Sequence, residues 1–465
     1  MTGSVARELS AVREARGLAV RAGGMLNRTR TPSGGEYARG VRGGSLVVVA
    51  VAITLAGCHG GRRRTASRVD DARAAATVED PWADTLTGWR ADVDLVATEL
   101  PRRHPAPFAR VSEADFTRAV DALRRDLPRL TEDERVVGLA RLVAMIGDAH
   151  TTLALPPGRA GAYPITFGWF TDGLVVIDGG AAVRAAIGWR LVDVGGVPVE
   201  AAIDRLSSTV GWQAEGHRRA EVAPRLAMPV YLRGTGLAPA TGPVTFGLVD
   251  SAGVRRALDV EPGGWRPEPL PADRQPLYRQ RPQAYYWSRW LDGPRAVYVQ
   301  YNRCAEAPDL SMAAFTSAVM AQLDRVPDAR LVVDLRWNGG GNSEVLKPFL
   351  AAIAARPALR GRLFALISRY TFSSALMNAI DLDRLGAVLV GEPAGSPASH
   401  PGEVHSLPLP AFGLVLHHST RLFTYEGYDA PALAPDVTVE LSSTDWLTGR
   451  DPVLTAALGG QDPTP

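Results

Sequence analysis

Between residues 83 and 160 the apolar positions recur at helical spacing, and three helices are predicted. One covers roughly 85–100. A second begins at Ser112, with Asp115 three residues on in a capping-box-like relation, and a third begins at Thr131 with Glu134 placed likewise. The third is apolar nearly all round (Val136, Val137, Leu139, Ala140, Leu142, Val143), which calls for burial on every side. Gly147 is a natural stop, and Asp148-Ala149-His150-Thr151-Thr152 follows at the end of that rigid element. From 161 to 284 short alternating runs broken by Gly and Pro read as mostly strand. Within them, Gly188 to Val199 fits either the strand-turn-strand of a PDZ-type module or an ordinary β-hairpin, and the Arg- and Pro-rich stretch 253–284 reads as a surface connection, a candidate cover for a cleft. From 285 to 445 strands alternate with helices: strands at 297–301, 331–335, 363–368, 387–390 and 437–439, and helices at 310–326 and 375–382. That is the pattern of an α/β domain. Residues 446–465 read as a loose tail.

An apolar run of another kind lies nearer the start. Ser45 to Leu55 follows Arg39 and Arg42, is too short to span a bilayer, and fits the core of a signal peptide. It ends in Leu55-Ala56-Gly57-Cys58, which resembles the lipobox of bacterial lipoproteins. Residues 1–57 are then a leader, with Met25 as an alternative start, and 58–82 a tether. The expectation is a chain exported to the bacterial cell envelope and held to the membrane by a lipid on Cys58; a plain secretory signal or an uncleaved anchor is the other reading. With Cys58 lipidated, Cys304 is the sole remaining thiol and no intrachain disulfide forms.

Composition narrows the picture further. The chain has 465 residues, of which 46 % are apolar and 22 % charged, the balance of a globular protein with room for more than one domain. A formal charge of +2 gives no case for nucleic acid. Lys347 is the only lysine, so chemistry that needs a lysine base is nearly excluded.

Two strand-turn-helix units could carry chemistry. In the first, strand 331–335 leads into Asn338-Gly339-Gly340-Gly341, a loop whose N–H groups can hold an anion. A phosphate loop is the rival, but the Gly-Lys-Ser/Thr ending is missing. In the second, strand 363–368 opens into Thr371-Phe372-Ser373-Ser374-Ala375. Ser373 before a helix is either a nucleophile or an N-cap, and Ser374 competes for either role. A nucleophilic serine needs a base. His150, pinned at a helix end, is the best placed of eight histidines; His400 and His405, in a Gly/Pro-rich loop, are rivals. No His-Glu-x-x-His or Cys/His cluster occurs, so no metal and no cofactor is expected.

Together these segments resemble the C-terminal-processing, or tail-specific, serine peptidase family, and more closely its histidine-using branch, with the tricorn core and the interphotoreceptor retinoid-binding protein repeats. The resemblance covers about 140–445 and is carried by Asp148-Ala149-His150-Thr151, Asp334-Leu335-Arg336-x-Asn338-Gly339-Gly340-Gly341, Thr371-Phe372-Ser373-Ser374-Ala375, Val390-Gly391-Glu392-Pro393-x-Gly395 and Pro435-Asp436-Val437. It implies a crotonase/ClpP-like spiral ββα catalytic domain, a helical N-terminal region and a β-rich, PDZ-like insert. It also implies Ser373 as nucleophile, His150 as general base, Asp429 or Glu426 as assisting acid, and Gly340, Gly339 and the Ser374 N–H as oxyanion donors. The substrate implied is a peptide or protein. The lysine of the better-known branch is absent from Pro393-Ala394-Gly395-Ser396-Pro397, and Ala149 stands where the tricorn-like branch has a hydroxyl, leaving Thr151 or Thr152 as substitutes. The alternatives are an inactive peptide- or lipid-binding scaffold of the same fold and a hydrolase of non-peptide acyl groups.

Overall fold

Three helices come first among the described residues, and the starts of the second and third follow the local signals. The structure, a computed structural model, describes residues 86–460 apart from 157, 160 and 268–274. The leader, Cys58 and the tether lie outside the described residues. In α1 (Leu86–Arg103), α2 (Glu113–Asp126) and α3 (Glu132–Ala144), Ser112 accepts the Asp115 N–H and Thr131 forms a full reciprocal box with Glu134. Helix α3 is buried from Val136 to Val143 on nearly every apolar side chain, and Gly147 turns the chain at φ +70°. Strand β1 (Thr152–Ala154) follows. Among the described residues no helix is long and apolar enough to cross a membrane.

The stretch 161–284 departs from the expectation of mostly strand. It holds β2 (Ile165–Phe170), β3 (Gly173–Gly179), β4 (Arg190–Val194) and β5 (Val197–Pro198), then α4 (Val199–Ser207), α5 (Glu215–Arg225) and α6 (Pro229–Gly234), then β6 (Val244–Val249) and β7 (Arg255–Val260). The strands form an antiparallel sheet in the order β2-β3-β4-β6-β7, with β5 paired to β4. Helix α5 is hard to see in sequence because it is polar and holds Pro224; its buried side is only Ala220, Val222, Ala223 and two polar residues, His217 and Arg225. Gly188 to Val199 contains a hairpin in which Val194 faces Val197 across Gly195 and Gly196, both at positive φ. Strand β7 occupies the start of the expected surface connection.

The remainder builds a layered α/β unit from β8 (Tyr286–Leu291), β9 (Ala296–Tyr301), α7 (Met312–Asp324), β10 (Arg330–Asp334), α8 (Lys347–Ala354), β11 (Leu363–Ile367), α9 (Ser374–Arg384), β12 (Val388–Gly391), β13 (His400–Leu409), β14 (Leu414–Phe423), β15 (Val437–Thr438), α10 (Ser443–Thr448) and α11 (Pro452–Ala457). The main sheet runs β15-β12-β11-β10-β9-β8, parallel throughout except for the edge strand β8. Its inner strands are continuous apolar runs because both faces are covered. Val297, Val299, Leu331, Val333, Ala365 and Ile367 share one core with residues of α7, α8 and α9. Tyr298, Val332, Phe364, Leu366, Val388 and Val390 share the other with α11. Strand β14 pairs with β13 on one side and β1 on the other, which brings the segment after His150 against this unit.

The expected loose tail is therefore corrected. Val453, Leu454, Ala457 and Leu458 are buried in the core of the main sheet, and the Asp451 carboxylate receives both terminal nitrogens of buried Arg336 at 2.8 Å each. Flanking Pro452 and Gly459 and the shortness of the segment make it read as irregular.

Candidate active site

Strand β10 ends in a locked turn. Asp334 and Asp451 hold Arg336 from two sides, and Tyr298 donates to Asp334 at 2.7 Å. A buried guanidinium between two carboxylates is tolerated because each ion is paired and hydrogen-bonded. Asn338 then organises the glycine loop: its Nδ2 donates to the Tyr301 carbonyl at 2.9 Å, and its Oδ1 accepts the Gly340 N–H at 3.0 Å. Gly340 (φ +110°) and Gly341 (φ +132°) adopt backbone that side chains rarely allow. A Cβ on Gly340 would stand 2.8 Å from the Ser373 Cβ and 3.1 Å from the Ser374 nitrogen, so only glycine lets the two turns touch.

The second turn is tied to the first by backbone and hydroxyl bonds. Phe372 N–H donates to the Asn338 carbonyl at 3.1 Å, Thr371 Oγ1 to the Leu335 carbonyl at 3.0 Å, and Ser368 Oγ to the Arg336 carbonyl at 2.6 Å. The two serines are thereby separated in role. Ser374 donates its hydroxyl to the Gly341 carbonyl at 2.7 Å. Ser373 stands at the N-cap position of α9 with φ +53° and ψ −126°, half-buried, and its hydroxyl makes no capping bond. A β-carbon at positive φ is strained, and such strain collects at functional sites. The Gly340 N–H is already taken by Asn338. Among the described residues no hydrogen bond takes up the N–H of Ser374 or of Gly339.

His150 is buried, and neither ring nitrogen, Nδ1 or Nε2, is hydrogen-bonded. The ring stacks on Phe372 at 4.3 Å between centroids, and Phe372 is the residue before Ser373. Beside it, Asp148 is a buried hub. It accepts Thr151 Oγ1 and Ser419 Oγ at 2.6 Å each and the His150 N–H at 3.1 Å, and it meets His104 Nε2 at 3.2 Å. Burial alone raises the Asp148 carboxyl, but hydrogen bonds from His104, His150 and Ser419 outweigh it and hold the group well below the usual carboxylate range. Its Oδ1 lies 3.8 Å from His150 Nδ1.

The sequence-level candidates divide accordingly. Ser373, Ser374, Gly339, Gly340 and His150 fall in one neighbourhood around Phe372. Asp429 and Glu426 do not join it: both are exposed on the loop after β14, and among the described residues neither forms a bond to His150. The carboxylate next to His150 is Asp148, two residues away in the motif itself. Thr151 is turned toward that carboxylate. Ser419 was missed altogether, because its place beside Asp148 depends on β14 pairing with β1. His405 is exposed, whereas His400 is buried and lies against His150. Lys347 begins α8 and pairs with Glu344 at the surface. Among the described residues no group of three or more His, Cys, Asp or Glu is placed to hold a metal.

In sequence the chain stands apart: no family model and no curated protein matches it. Its fold does not. CPAF in complex with lactacystin superposes with a TM-score of 0.58 over 81 % of this chain and 98 % of that one, at 12 % identity. Mature CPAF gives 0.55 over 78 % and 95 %, at 13 % identity. The photosystem II D1 C-terminal processing protease covers 76 % of this chain at 14 % identity, but its TM-score of 0.34 carries no argument. The chain thus has the mixed α/β fold seen in CPAF.

Proposed function

We propose that the protein is a serine hydrolase acting on peptide bonds. The observation that carries this reading is Ser373 itself. It sits at the start of a helix in a strained left-handed conformation, its hydroxyl is not used as a cap, and the neighbouring Ser374 has its own hydroxyl engaged elsewhere. In this mechanism His150 takes the proton from Ser373 Oγ as the oxygen attacks the carbonyl carbon. The tetrahedral oxyanion is met by the N–H groups of Ser374 and Gly339, aided by the positive end of α9. His150 then protonates the leaving amine, and water repeats the cycle on the acyl-enzyme. Asp148, in place of Asp429 or Glu426, holds the base and balances the imidazolium.

Fold supports the reading through CPAF, which has been solved with lactacystin bound. The same proposal takes the main sheet and its βα units as a crotonase-like spiral and the sheet of 165–260 as a PDZ-type insert. It also keeps export and lipid attachment at Cys58, which would hold the peptidase at the cell envelope. Replacing Ser373 or His150 by Ala should lower cleavage of an unfolded protein substrate by about 10³-fold or more. Full activity in both variants would overturn the assignment.

A second reading is favoured by a specific feature. Among the described residues no hydrogen bond joins the His150 ring to any acceptor or donor, Ser373 included, and Ala149 supplies no hydroxyl. A protein of this fold without an assembled base would be a binding scaffold for peptides or lipids. A hydrolase of another acyl group shares the Ser373 chemistry and differs only in substrate. Catalytic hydrogen bonds often tighten only when substrate is bound, which is why the hydrolase comes first.

A further inference from the structure

No hydrogen bond orients the ring of His150, yet it is buried. What encloses it is a column of rings. His400 lies on one face of His150, 5.2 Å away and 5° from parallel. Phe372 stacks on His150 at 4.3 Å and 26°. His217 of α5 stacks on Phe372 in turn, at 5.0 Å and 18°. The column joins segments distant in sequence: the end of the helical region, the middle region, the nucleophile turn and the start of β13.

We propose that this ring column, and His400 in particular, positions His150, doing by face-to-face packing what a hydrogen-bonded hydroxyl and acid do in other serine–histidine sites. The inference rests on the reading of His150 as the base. His400 suits the task because its own orientation is fixed. Its Nδ1 lies 3.0 Å from the Pro397 carbonyl and 2.9 Å from the Ala398 carbonyl. Carbonyls only accept, so Nδ1 carries the proton and Nε2 is bare; Nε2 is buried without a partner. The ring therefore offers His150 a flat, neutral face. Burial, with the neighbouring His150 adding to it, pushes His400 down to about 4, and burial pushes His217 down as well, so the flanking imidazoles stay uncharged while His150 works. When His150 becomes an imidazolium, it does so against the Phe372 ring, whose π face favours a cation. The charged or titratable groups facing the column are Asp148 beside His150, and Glu221 and Arg225 near His217.

Two substitutions separate stacking from mere structure. His400→Asn keeps a nitrogen donor near the Nδ1 position for the two carbonyls but removes the ring face. His400→Phe keeps the face and loses the hydrogen bonds. The measurement is the pH titration of the His150 imidazole by NMR, alongside the rate of fluorophosphonate labelling at Ser373, on the whole protein. The proposal expects His400→Asn to displace the His150 midpoint and to slow labelling by about ten- to a hundredfold, with His400→Phe rescuing most of the rate. The reverse pattern, or His150 titration unchanged in both variants, overturns it. Should His400→Asn fail to fold, Phe372→Leu removes the other stacked ring and must displace the same titration, or the proposal falls. If wild type and variants alike take no label while the His150 midpoint moves only on loss of a ring face, the column stands and the hydrolase reading is what fails.

Discussion

The two halves of the site are held by different forces. On the nucleophile side, hydrogen bonds determine nearly every group: Thr371, Ser368 and Ser374 donate into the opposite turn, the Asn338 carbonyl accepts the Phe372 N–H, and Arg336 anchors the loop from beneath. On the base side, the bonds stop at the Asp148 carboxylate and the His150 N–H, and the imidazole itself is held by ring faces. Hydrogen bonds fix direction, as an oxyanion site must. Stacking fixes a plane but leaves both nitrogens free to exchange protons. The contrast fits a serine that must not move beside a base that must change charge.

The largest break should come at the junction of the halves. Asp148→Asn keeps the shape but removes the charge that balances an imidazolium, and the labelling rate at Ser373 should fall by on the order of 10² to 10⁴-fold. An unchanged rate would detach Asp148 from the base. On the nucleophile side, Asp451→Ala leaves Arg336 with one carboxylate fewer in a buried place, and should cost about 3–5 kcal/mol in denaturant unfolding. A cost near zero would show that α11 is dispensable, as a loose tail would be.

The base side predicts an acid sensitivity. His400 is held neutral in the folded state, near 4, while an unfolded histidine takes its proton near 6.5. Between those values the unfolded chain binds more protons, so stability falls as pH drops from about 6.5 toward 4, by up to about 3 kcal/mol from this group. His217 acts with the same sign. Melting curves across that window should be flatter for His400→Phe than for wild type; equal slopes would mean that His400 does not carry the effect. The smallest change is Gly340→Ala. The added methyl meets Ser373 at positive φ and should cost about 1–3 kcal/mol of stability and slow labelling, whereas Gly361→Ala, also at positive φ but with open space around it, should leave labelling unaltered.

What could be read from sequence follows the same divide. The parallel strands of the main sheet were legible because they are unbroken apolar runs between Gly and Ser/Thr signals, whereas β13, which carries His400 and His405, read as a Gly/Pro-rich loop because of its Pro401, Gly402 and Pro408. The nucleophile side was legible for the same reason: Asn338 to Gly341 and Thr371 to Ser374 are local motifs on successive βα units. The base side was only half legible. Asp148 and His150 are adjacent, but Ser419, His217 and His400 reach them through sheet pairing and through α5, whose polar face and Pro224 conceal a helix. Asp429 and Glu426 were chosen by position in a motif order, and position in sequence does not say which loop faces inward. Residues 451–458 were hidden by shortness.

The central claim is that Ser373 is an activated nucleophile, and intact-mass analysis tests it most directly. The purified protein is treated with a fluorophosphonate and compared with Ser373→Ala and Ser374→Ala. A single adduct present in wild type and in Ser374→Ala, and absent only from Ser373→Ala, is the result expected. A well-folded wild type that gains no mass, or an adduct that survives in Ser373→Ala, would contradict it.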